Sequence, residues 1–80
     1  MVNYKVCAKK GSSYTFYGEV EYLMKDYWTT IQFEEEQSEG LVKYFAKANL
    51  MKQVAKDILG SVRGWKRIYL DNSDLEIVKA

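Results

Sequence analysis

Eighty residues carry 12 Lys and Arg, 11 Asp and Glu, no His, no Pro and one Cys, for a net charge of +1. That length suits one domain, 1–80, and the lack of an imidazole removes every Ser-His, Cys-His and His-metal mechanism. A lone cysteine cannot make an intramolecular bridge, and no apolar run approaches the ~18–20 residues of a membrane span.

The run Met1-Val2-Asn3-Tyr4-Lys5-Val6 has no apolar core of the secretory-leader kind, so a reduced, cytoplasmic setting is expected. Charge is distributed in blocks. Residues 1–18 hold three lysines and no acid, 19–39 seven acids and one lysine, 40–68 seven basic residues and one acid, and 69–80 three acids and one lysine. Either the blocks neutralise one another in the fold, or one of them faces a charged partner.

Val2, Tyr4, Val6 and Ala8 alternate with Asn3, Lys5, Cys7 and Lys9, which predicts a strand. After a turn at 10–13, alternation resumes with Tyr14, Phe16, Gly18, Val20, Tyr22 and Met24 on one face and Thr15, Tyr17, Glu19 and Glu21 on the other. Lys25-Asp26 is read as a hairpin turn. A third strand follows, with Tyr27, Thr29, Ile31 and Phe33 on one side and Trp28, Thr30 and Gln32 on the other.

From Ser38 the period becomes helical. Leu41, Tyr44, Phe45, Ala48, Met51, Ala55, Ile58 and Leu59 form the predicted inward stripe. Ser38 is the predicted N-cap and Gly60 the left-handed residue beyond the C-terminus, bounding a helix of about 21 residues. Glu35, Glu36 and Glu39 suit the positive end of its dipole. Trp65 to Leu70 reads as a fourth strand, 71–74 as a turn and Leu75 to Val78 as a fifth strand.

The predicted fold is α+β: an antiparallel five-stranded sheet (β-β-β-α-β-β) with one amphipathic helix packed across one face. Its core would hold Val6, Phe16, Val20, Ile31 and Phe33, the helical residues Leu41, Phe45, Ala48, Met51, Ala55 and Ile58, and Ile68, Leu70 and Ile77.

The sequence has no Walker loop, and Cys7, on a strand with no adjacent base, reads as an inert thiol. Glu19 and Glu21 are neighbours on one strand face, a pairing that supports acid–base or metal chemistry only weakly. Asp71-Asn72-Ser73-Asp74 reads as a turn rather than a calcium loop, because Leu75 cannot ligate and the loop glycine is missing. No cofactor, metal or catalytic residue is expected, and the chain is read as a non-enzyme.

Binding is better represented. Arg63, Trp65, Arg67 and Tyr69 alternate, so a strand would set all four on the open sheet face. With Tyr17 and Trp28 they would form an aromatic, basic patch suited to a protein partner or to self-association. Interleaved arginines and rings also suit single-stranded nucleic acid, the alternative partner. Glu34, Glu35, Glu36 and Glu39 could instead imitate phosphates, as small phage inhibitors do. The leading expectation is a small protein-binding accessory or inhibitory protein, of a size typical of phage and mobile-element proteins, with no membrane role.

Overall fold

The computed structural model describes residues 1–9, 11–22 and 27–78, the Tyr22 side chain excepted. In chain order the elements are β1 (Val2–Ala8), β2 (Ser13–Phe16), β3 (Glu19–Tyr22), β4 (Trp28–Phe33), α1 (Glu39–Leu59), a 3₁₀ segment (Val62–Arg67), β5 (Ile68–Leu70), a 3₁₀ turn (Asn72–Asp74) and β6 (Leu75–Val78). The α+β class stands. The single five-stranded sheet does not: the strands form two antiparallel three-stranded sheets, ordered β4-β1-β6 and β3-β2-β5.

One cause of the difference is local. Tyr17 and Gly18, at φ 51° and 83°, make a two-residue turn that reverses the chain after Phe16. Positive φ at both central residues matches the right-handed twist of a tight hairpin. In the resulting register Glu19 lies opposite Phe16, Glu21 opposite Tyr14 and Val20 opposite Thr15. The glutamates, not Val20, therefore share the face of Tyr14 and Phe16. Val20, expected in the core, is 62% exposed. The turn expected at Lys25-Asp26 lies outside the described residues.

In the first sheet Cys7 faces Trp28 and Ala8 faces Leu75; in the second Ser13 faces Tyr22 and Tyr14 faces Leu70. Backbone bonds pin the chain as it leaves the first sheet: Ala8 N donates to Tyr27 O at 2.7 Å and Lys9 N to Asp74 O at 2.9 Å. Buried Ser12 donates its hydroxyl to the same Asp74 carbonyl at 3.1 Å. At 71–74 the predicted turn is present, with Asp71 Oδ1 accepting from Ser73 N at 3.1 Å.

α1 has the predicted ends. The Ser38 hydroxyl accepts from Leu41 N at 3.3 Å, and Gly60 adopts φ 72°. Its buried face matches the predicted one only at Ala55. Val42, Ala46, Leu50, Val54 and Ala55 are fully buried, whereas Leu41, Phe45 and Ile58 are exposed and Ala48, Met51 and Leu59 half-buried. The helix carries two apolar stripes. Val42, Ala46, Leu50 and Val54 repeat every fourth residue and are mostly small, so the helix can approach the strands closely. The stripe rich in rings is left outside. Val6, Ala8, Tyr14, Ile68, Leu70 and Leu75 complete the core, with Phe16, Ile31, Phe33 and Ile77 at its margin.

Tyr17 is the one described non-glycine residue at positive φ. Left-handed backbone costs roughly 1–2 kcal/mol for an ordinary residue and less for Asn. Its ring sits 4.4 Å from that of Phe16, centroid to centroid, a contact worth about 0.5–1.5 kcal/mol. The Arg67 guanidinium 5.1 Å from the same ring adds about 0.5–1 kcal/mol, so relief of the backbone offsets most of the loss and Tyr17→Asn should lower stability by no more than about 1 kcal/mol in urea unfolding. A loss above 2 kcal/mol would show that the ring, not the turn, dominates.

Candidate functional site

The expected patch is broken up by the 3₁₀ segment. Ser61 caps it, its hydroxyl accepting from Arg63 N at 3.2 Å, and the chain becomes a strand at Ile68. Arg63, Trp65 and Arg67 therefore do not alternate on a sheet, and of the four alternating residues Tyr69 alone lies on a strand. Gly64 packs against the Leu59 side chain of α1: a Cβ there would sit 2.5 Å from Leu59 Cδ1.

Five of the six predicted binding residues fall on β5, the 3₁₀ segment and the β2–β3 hairpin. Each of their rings is paired with a cation. The Arg67 guanidinium lies 5.1 Å from the Tyr17 centroid, and Lys47 Nζ 5.2 Å from that of Tyr69. Trp65, half-buried, has Lys52 Nζ at 5.1 Å and Lys66 Nζ at 5.8 Å. Such pairs contribute about 0.5–1 kcal/mol each when exposed. Trp28 belongs to the other sheet, opposite Cys7, with Lys5 Nζ 4.6 Å from its ring.

Two clefts flank the 3₁₀ segment. One, of about 280 Å³, is lined by Tyr44, Phe45, Lys47, Ala48, Met51 and Trp65. The other, of about 350 Å³, is lined by Leu59, Ser61, Arg63, Gly64 and Arg67. Tyr44 and Phe45 are 68% and 49% exposed and meet edge to face at 5.5 Å. Phe45 in turn meets Phe33 edge-on at 5.9 Å. Tyr44, Phe45 and Met51, which the helical period predicts to face inward, line the first of these clefts. The competing repeat Val42, Ala46, Leu50, Val54 was the available signal of this placement.

Glu21 Oε2 accepts from the Tyr14 hydroxyl at 2.7 Å. Glu34, Glu35, Glu36 and Glu39 are exposed around the start of α1, and Glu39 lies in its first turn, where a carboxylate compensates the dipole. Gln37 N donates to the Tyr4 hydroxyl at 3.0 Å, fixing that loop to β1. Among the described residues no three Cys, Asp or Glu side chains gather to hold a metal. Cys7 is half-buried.

Burial, then the Glu21 hydrogen bond and charge, push the Tyr14 phenol from 10.0 up to about 12. Tyr27 is raised too, by burial first and then by Asp57, whose Oδ2 accepts from its hydroxyl at 2.6 Å. A phenol held neutral by the fold contributes stability below its unfolded pKa and loses it as pH rises through the folded value. Alkaline unfolding should therefore steepen between pH 10 and about 12, with at most about 3 kcal/mol from Tyr14. Tyr14→Phe should cost about 1 kcal/mol at pH 7 and flatten this limb, read from urea unfolding at pH 7, 10 and 11.5. An unchanged slope would assign the limb to other groups.

No helix of the described residues is long and apolar enough to cross a membrane. No family model, curated protein or solved structure matches the chain.

Proposed function

We propose that the protein is a non-catalytic binding module, an accessory or inhibitory protein that docks another protein on the outer face of α1 and the adjoining 3₁₀ segment. The observation that carries this reading is the two-sided helix. One apolar stripe already fills the core, yet Leu41, Tyr44, Phe45 and Ile58 remain exposed on another. Aromatic side chains beside a cleft are the usual anchors of protein interfaces. The docking surface thus moves from the sheet face to the helix. Tyr44, Phe45, Met51 and Trp65 take the central role, Arg63 and Arg67 the border, and Trp28 falls outside.

Nucleic acid is less well supported. Base stacking needs open ring faces, and Tyr17, Trp65 and Tyr69 each already hold a cation of their own chain.

Co-purification from the native host tests the reading. A protein should be retained by the wild type and by Val20→Ser, and lost with Tyr44→Ala/Phe45→Ala. Retention by the double variant, or loss with Val20→Ser, would place the interface elsewhere.

A further inference from the structure

The proposed docking face is bordered by positive charge that the fold leaves unneutralised. Lys47 lines the apolar cleft, and Lys52 and Lys66 lie over the Trp65 ring that forms one of its walls. Arg63 and Arg67 line the neighbouring cleft. From residue 40 to 70 the chain has seven basic residues and one acid, Asp57. That acid accepts from the Tyr27 hydroxyl at 2.6 Å. Between described residues one ion pair forms, Glu39 with Lys43 at 3.0 Å. The charge blocks do not cancel through contacts on this face. Five cations around an apolar trough produce a field that a purely apolar partner would leave unanswered.

Building on the docking reading above, we infer that the occupant is a short amphipathic segment of another protein, with carboxylates along the border of an apolar stripe. The apolar stripe fills the cleft between Phe45, Met51 and Trp65. The carboxylates meet Lys47 and Lys66, and Arg63 and Arg67 offer the forked geometry that binds a carboxylate through two hydrogen bonds. A second copy of this chain is a poor occupant, because a two-fold contact through this face would set like charge against like.

Selection from a random displayed peptide library tests this, using peptides of about 16 residues, roughly 24 Å long as a helix, against the full chain at physiological salt. The enriched peptides should be net negative, with large apolar residues at helical spacing. Their affinity should fall about tenfold with Lys47→Ala/Lys66→Ala and more steeply with Phe45→Ala. Circular dichroism checks that both variants keep the fold. Enrichment of neutral or basic peptides that still depend on Phe45 would overturn the acidic partner and leave the docking face standing. Peptides indifferent to Phe45→Ala would overturn both. Tighter binding of a thymidine dodecamer, lost in Trp65→Ala, would overturn the inference in favour of nucleic acid.

Discussion

Leu50→Ala should destabilise the protein by about 3 kcal/mol, the larger share of what a chain this short can spare. Leu50 is fully buried at the centre of the inward stripe of α1, between Ala46 and Val54. Its small neighbours leave little side-chain volume to refill the space, so the cavity persists and its cost adds to the lost transfer energy. Urea unfolding should show the midpoint falling with an unchanged slope. A loss below 1 kcal/mol would mean that the helix is not seated on this stripe.

Tyr44→Ala/Phe45→Ala should act in the opposite way. Both rings are exposed on the outer stripe, and the edge-on contact of Phe45 with Phe33 is worth about 0.5–1.5 kcal/mol. Stability should fall by no more than about 1.5 kcal/mol. Binding to the partner should weaken about 100-fold, since interface anchors of this type carry about 2 kcal/mol or more. The comparison with Leu50→Ala separates the two faces of one helix: one substitution costs fold, the other costs binding. Loss of fold in the double variant would assign both stripes to structure and remove the docking surface.

The fold was legible where one signal acted alone. Ser38 and Gly60 bound the helix because a cap hydroxyl and a left-handed glycine have few other uses at those spacings. β1 and β4 have the inward faces that their alternation predicts. Legibility failed where two signals competed. Tyr17-Gly18 turns the chain without Asn or Asp, so alternation ran through it and put Val20 inside. In α1, two apolar stripes fit the same period, and bulk favoured the wrong one. Trp65 to Leu70 alternates on paper, but Ser61 caps a 3₁₀ segment first. The sheet positions expected for Arg63, Trp65 and Arg67 therefore do not hold. The cations and rings are present, paired with one another rather than displayed on a sheet.

Site-specific photocrosslinking in the native host tests whether another protein docks on the outer face of α1. A photoreactive phenylalanine at position 44 replaces a residue 68% exposed on the outer helix face, and one at position 20 a residue 62% exposed on β3. A covalent adduct to a discrete protein is expected from position 44 and none from position 20. An adduct from position 20 alone, or an adduct to nucleic acid from position 44, would contradict this docking.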